Sequence, residues 1–247
     1  MIAARHLRTA ALATLPALAA VHAAPAISTF GPLRNRVLPR LSGLGRPDHV
    51  ALTFDDGPDF LSTPLFLTLL AQRATLATFF LLGTQVHRSP GLVRDIAAAG
   101  HEIGIHGWRH RPLLLRGPRA TYDDLARVRD TVATITTRQP TLFRPPYGVM
   151  SGAAHVAARR LGLTPVLWTC WGEDWTARAT PASVHRMVTR DLTGGGTILL
   201  HDSDCTSAPG AWRSALGALP RILDTCEQQG FRVGRLSDHG VPVTSRS

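Results

Sequence analysis

With 247 residues, 44% of them hydrophobic, the chain is long enough to bury a sizeable core as one large α/β domain. Its formal net charge is +10 and all 27 basic residues are arginine, yet they stand scattered singly, without the interleaved aromatic residues of a nucleic-acid surface. That excludes nucleic acid as the expected partner and leaves a weak affinity for anionic cell-surface polymers or membrane surfaces.

Arg5 and Arg8, an apolar run over 10–20 and the small residues of Val21-His22-Ala23-Ala24-Pro25 follow the order of a secretory signal peptide spanning 1–24, with cleavage after Ala23. The run is too short for an ordinary transmembrane helix. Because it is Ala-rich and contains Pro16, an uncleaved N-terminal extension is the alternative. A secreted or cell-surface protein is therefore expected, with a cytoplasmic one as the other reading. Pro25, Pro32, Pro39 and Pro47 predict an irregular lead-in over 25–47.

A catalytic domain is expected over 48–240. His49-Val50-Ala51-Leu52 reads as a strand running into Thr53-Phe54-Asp55-Asp56-Gly57-Pro58, where the turn can aim both carboxylates inward. Ser62 or Thr63 caps a helix with Pro64 in its first turn. A strand over 77–82, a helix over 89–100 and a strand over 102–106 follow. A longer helix covers 121–137, and a brief strand over 142–144 stops at Pro145-Pro146. Ser151 caps a helix to Leu161, and 165–169 is the fifth strand. Thr180-Pro181 opens a helix to Leu192, 197–201 is the sixth strand, and a helix over 212–229 precedes Phe231-Arg232-Val233. Alternation of this kind gives parallel strands with helices outside, and about seven units in one domain fit a distorted (β/α) barrel.

The unusual polar residues cluster after the strands. Asp55, Asp56, His106, Arg144 and His201 close or directly follow one, and Asp174 falls in the loop after another; in a barrel these are the carboxyl ends, where active sites are built. His106 and His110, four residues apart, can face one point, and with a carboxylate they form a two-His, one-carboxylate site. Zinc suits that set best, with cobalt, nickel or iron as alternatives. Arg144 can supply the counter-charge for Asp55, and Asp174 can hold His201 protonated as an acid. Trp168, Trp171 and Trp175 read either as core packing or as a wall for a sugar or acyl group. Cys170, Cys205 and Cys226 have no Cys-x-x-Cys spacing and are expected as free thiols, buried or partly so.

Thr53-Phe54-Asp55-Asp56-Gly57-Pro58, His106-Gly107-Trp108-Arg109-His110, Arg144-Pro145-Pro146-Tyr147, Asp174-Trp175 and Leu199-Leu200-His201 resemble, in order, the motifs of the polysaccharide deacetylases (NodB homology domain, carbohydrate esterase family 4). The resemblance covers roughly 48–236. It implies metal-dependent hydrolysis of N-acetyl groups on amino sugars of a glycan such as peptidoglycan or a chitin-type oligomer. It assigns Asp55 as general base, Asp56, His106 and His110 as ligands of one divalent ion, and Arg144 as the group orienting Asp55. His201 would be the general acid tuned by Asp174, the Tyr147 backbone N–H an oxyanion donor, and Trp175 and Leu199 the walls of the acetyl pocket. Two departures stand out. Gly107 replaces the usual Ser or Thr, and Trp171 stands where many members carry another Asp, which implies altered substrate contacts. Hydrolysis of a non-sugar amide by the same fold, and a catalytically silent glycan-binding barrel, are the other readings.

Overall fold

The computed structural model describes residues 16–241. The charged and apolar front of the N-terminal segment, through residue 15, lies outside the described residues. None of the described helices is long and apolar enough to cross a membrane.

The sheet is built around β1 (His49–Asp55). After it come β2 (Thr78–Leu81), β3 (Glu102–Ile105), β4 (Leu142–Phe143), β5 (Thr164–Pro165), β6 (Cys170–Trp171), β7 (Thr197–His201) and β8 (Arg232–Gly234). Seven strands run in the order β5-β4-β3-β2-β1-β7-β6, and β8 pairs with the first half of β1. Every pairing is parallel. The expected α/β barrel with about seven parallel strands is therefore present as a single curled, distorted barrel.

All of β1 is buried, because one face meets helices and the other the barrel interior. Val50, Leu52 and Phe54 join the outer core with Phe66, Leu70 and Phe79, whereas Ala51 joins a small inner cluster with Phe80 and Leu142. Strand alternation then puts Thr53 and Asp55 on the interior face with Ala51. β7 behaves alike: Ile198 and Leu200 go to the outer core, so Leu199 and His201 face inward. A two-residue period thus delivers Asp55 and His201, which are register partners, to the same end of the barrel.

Three expectations need correction. The lead-in is irregular only over 38–47: its first half forms a 3-10 turn, Ala24–Thr29, and an α-helix, Gly31–Val37. Pro25 and Pro32 sit in their first turns, where a missing N–H costs no hydrogen bond. The buried Arg34 pins this segment by donating to Ser28 O, Ser42 Oγ and Trp168 O. Next, the single strand expected over 165–169 is two short strands, β5 and β6, with 166–169 outside the ladder. The carbonyls there accept instead from arginines: Val166 and Leu167 from Arg144, Trp168 from Arg34. Finally, an unanticipated helix, Gly83–Arg88, follows β2, and the helix expected from 121 begins at Pro118. Gly83 is required there, since a Cβ would stand 2.4 Å from Trp108 Cε3.

Capping followed the sequence at Ser151, which accepts from Ala154 N, and at Thr180, which forms a capping box with Ser183. Ser62 departs from it: its hydroxyl donates to Asp202 O, while Asp59 Oδ1 accepts from the N–H groups of Leu61 and Ser62. Cys170 and Cys226 are buried free thiols, and Cys205 is free but exposed.

Candidate active site

Asp55 ends β1 deep in the barrel and is held by Arg144, whose Nη1 donates to Asp55 Oδ1 at 2.7 Å and to Thr53 Oγ1 at 2.8 Å. Arg144 has no exposed surface. Burial raises the Asp55 carboxyl above its usual range, and the charges of Arg144 and His201 offset only part of that rise.

Asp56 follows with φ of 76°, a left-handed conformation that breaks the strand alternation and turns this second carboxylate toward the same space. Gly57 allows the turn, because a Cβ there would stand 2.4 Å from Asp202 Oδ2. Asp56 Oδ1 lies 3.5 Å from His106 Nε2 and 3.8 Å from His110 Nε2. One ligand atom from each of Asp56, His106 and His110 lies within 4.8 Å of the others. These gaps are too long for hydrogen bonds, while ligands around one tetrahedral zinc stand about 3.3 Å apart. Asp56 Oδ1 is buried without any hydrogen-bond partner, an expensive arrangement for a carboxylate unless a cation is held there. His106 Nδ1 lies 2.7 Å from Arg144 O, so it donates there and turns the Nε2 lone pair toward the cluster. Burial pushes His106 down to about 3 and lowers His110, keeping both imidazoles in the neutral, ligating form. The residues present fit a divalent ion.

Across the cavity, Asp174 grips His201 twice, accepting from its backbone N–H at 2.7 Å and lying 3.0 Å from its Nδ1. Burial alone would lower the His201 pKa; the Asp174 carboxylate, with Asp56 and Asp55 behind it, overrides burial and raises it to about 10. His201 is thus a protonated imidazolium at neutral pH, with Nδ1 committed to Asp174.

Trp168 and Trp171 stack at 5.7 Å, Trp171 and Trp175 meet at 4.9 Å, and Trp175 sets its edge against His201 at 5.7 Å. The three indoles and Leu199 line a cavity of about 240 Å³ together with Asp56, His106 and His110. Tyr147, at φ of 60°, stands exposed at the rim with its ring 4.3 Å from that of His110. The structure therefore gathers around this cavity eight of the ten site residues expected from the sequence, with Arg144 behind Asp55 and Asp174 behind His201.

Sequence reasoning passed over three contributors. Thr206 Oγ1 donates to Asp56 Oδ2, leaving Oδ1 free toward the two histidines. Asp124 accepts from Trp108 N at 2.7 Å and anchors the loop that carries His110; with Gly107 at φ of 84°, a carboxylate from a helix takes the part of a loop side chain. Asp202 lies buried under the Asp56-Gly57 turn, accepting from Thr63 Oγ1 at 2.5 Å, and burial pushes its carboxyl up to about 7. Only the dense run of polar residues after β7, Asp202 to Ser207, hinted at the first and last of these.

Comparison with known proteins places this geometry. The chain is 36% identical over 183 residues to the peptidoglycan-N-acetylglucosamine deacetylase PgdA of Listeria monocytogenes; the match takes in 74% of this chain but only 37% of that protein's length. It is 35% identical over 192 residues to the peptidoglycan-N-acetylglucosamine deacetylase of Bacillus cereus, covering 76% of this chain and 86% of the relative. In structure it resembles the Bc1960 peptidoglycan N-acetylglucosamine deacetylase with a TM-score of 0.75 at 28% identity, over 82% of this chain and 94% of the other. The family model for polysaccharide deacetylases matches residues 43–166, and on these findings the chain belongs to that family.

Proposed function

We propose that the protein removes N-acetyl groups from amino sugars of a cell-surface glycan, peptidoglycan or a chitin-type oligomer, with one divalent metal ion, zinc for preference and cobalt or nickel as substitutes. The observation that carries this is the convergence of three separate units on one cavity: the Asp56–His106–His110 cluster, the Asp55–Arg144 pair and the Asp174–His201 pair.

Asp56, His106 and His110 would hold the ion. When bound, it would lower the pKa of a water molecule and polarise the acetyl carbonyl. Asp55, oriented and opposed in charge by Arg144, takes a proton from the attacking water. The Tyr147 backbone N–H is the donor for the carbonyl oxygen as charge gathers on it, a contact worth roughly 3–4 kcal/mol. His201 donates its proton to the departing nitrogen, so water and the acetamide become acetate and a free amine. Trp175 and Leu199 enclose the methyl group, and the remaining indoles offer flat apolar faces to a sugar ring. The basic N-terminus and the small-residue stretch ending at Ala23 support export to the cell surface.

The test is acetate release from N-acetylglucosamine oligomers and from peptidoglycan, using metal-stripped and then zinc-, cobalt- or nickel-reloaded protein. Metal-dependent acetate release supports the proposal. Stoichiometric metal without acetate from any glycan points to a non-sugar amide, and neither metal nor turnover points to a silent barrel.

A further inference from the structure

Among the described residues, thirteen large apolar side chains stand exposed, and seven of them fall between positions 18 and 38. Ile27 is 66% exposed, Phe30 63% and Val37 60%, with Leu33 and Leu38 beside them. Leu33 and Val37, four residues apart, lie on one side of the Gly31–Val37 helix, and Phe30 stands exposed at its N-cap. The segment is fixed rather than trailing. Arg34 ties it to the barrel through Trp168 O, and His22 Nε2 lies 3.0 Å from Leu114 O. Among the described residues, nothing covers the apolar side chains that this tethered helix turns outward.

Charge narrows what the partner is. The first 47 residues contain six arginines and no Asp or Glu. Of these, Arg36, Arg40 and Arg46 are exposed on or just after the helix. Arg46 is paired with Asp48, but a second copy of the same surface would still set Arg36 and Arg40 against their own counterparts. A soluble anionic polymer would match the arginines but give Ile27, Leu33 and Val37 nothing to enter. An anionic bilayer answers both features, with acyl chains for the apolar stripe and headgroup phosphates for the guanidinium groups.

We propose that residues 27–40 form an interfacial docking surface for anionic phospholipid, which seats the folded barrel on a membrane. The surface lies after Ala23 and so persists whether or not the preceding segment is cleaved. It does not rest on the chemistry proposed for the cavity.

The experiment is flotation of the full chain with phosphatidylcholine vesicles and with vesicles containing one-third phosphatidylglycerol. It compares wild type, the triple variant Phe30→Ser, Leu33→Ser, Val37→Ser, and the double variant Arg36→Gln, Arg40→Gln. Wild type should partition to the anionic vesicles about tenfold or more tightly than to the neutral ones. The triple variant should lose about tenfold or more of that binding, and the double variant should lose most of its salt sensitivity. Unchanged circular dichroism in both variants shows that the barrel remains folded. No preference for anionic vesicles overturns the proposal. So does undiminished binding by the triple variant, which would move the contact to residues 1–15 or to a purely ionic surface. A wild-type dimer that the triple variant dissociates would reassign the stripe to self-association and overturn it equally.

Discussion

Arg144 and Asp55 meet at 2.7 Å where neither side chain has more than a trace of solvent, and the same guanidinium also holds the carbonyls of Val166 and Leu167. One side chain therefore joins the barrel wall to the charge state of a buried carboxylate. Arg144→Met should lower stability by about 3–5 kcal/mol, since it strands a buried carboxylate and leaves carbonyls unpaired. Arg144→Lys keeps the charge but not the planar fork that serves four acceptors, so it should also lose stability. Urea unfolding of both variants checks this; a loss below about 1 kcal/mol in the Met variant would mean the wall closes without Arg144.

Metal retention should divide the histidines by role. His106→Ala and His110→Ala should emerge from dialysis without stoichiometric metal, whereas His201→Ala should keep it and lose roughly 10²–10⁴ in turnover. Thr206→Val removes the hydroxyl that orients Asp56 and should weaken metal affinity about 10–100-fold. Chelator competition measures each affinity directly, and full metal in His106→Ala would refute the ligand set.

Asp174→Asn should move the alkaline limb of the pH–rate profile toward acid. The carboxylate raises His201 to about 10 against the opposing pull of burial. With that charge removed, burial prevails, and the imidazole loses its proton at lower pH. An unmoved alkaline limb would mean that another group donates the proton.

Trp171→Ala should raise KM for a glycan oligomer by roughly two- to tenfold, the worth of one aromatic contact, with a smaller change in kcat. A small acetamide that cannot reach the wall should show no such difference. Equal effects on both substrates would make Trp171 a packing residue.

At the opposite end of the barrel, His49 Nδ1 lies 2.9 Å from His239 Nδ1, and His239 Nε2 reaches the carbonyls of Gly43 and Gly195. With Nε2 of His239 donating to those carbonyls, its Nδ1 accepts from His49 Nδ1, so the bond is lost once His239 is protonated as well. Burial, then the neighbouring His239, pushes His49 down to about 4, and burial lowers His239 as well. Both folded values lie below the unfolded value of about 6.5, so their contribution is present above that pH and lost as pH falls through about 4. His49→Gln should flatten the fall in melting temperature between pH 6.5 and 4. Each proton so removed is worth about 1.4 kcal/mol per pH unit.

Much of this was legible because strands announce themselves by alternation and active-site residues by their places at strand ends. Asp55 and His201 could be placed from the periods of β1 and β7 alone. The run 165–169 misled because its apolar residues look like any buried strand; what withdraws it from the ladder is a pair of arginines 132 and 22 positions before Val166. Long-range donors leave no local trace. Thr206 was missed for the same reason, being 150 residues from the carboxylate it steadies. The lead-in was misread because prolines punctuate loops and also open helices, and only the burial of Arg34 tells the two apart.

The break between β5 and β6 has a consequence for how such a barrel can change. Because guanidinium groups fasten the carbonyls of 166–168, the stretch beside Trp168 and Trp171 keeps its cross-strand bonds only at its ends, from Val166 N to Phe143 O and from Thr169 N to Thr197 O. New side chains can be tried there against new sugars while the closure stays intact, which makes this the part of the molecule freest to acquire a different taste in substrate.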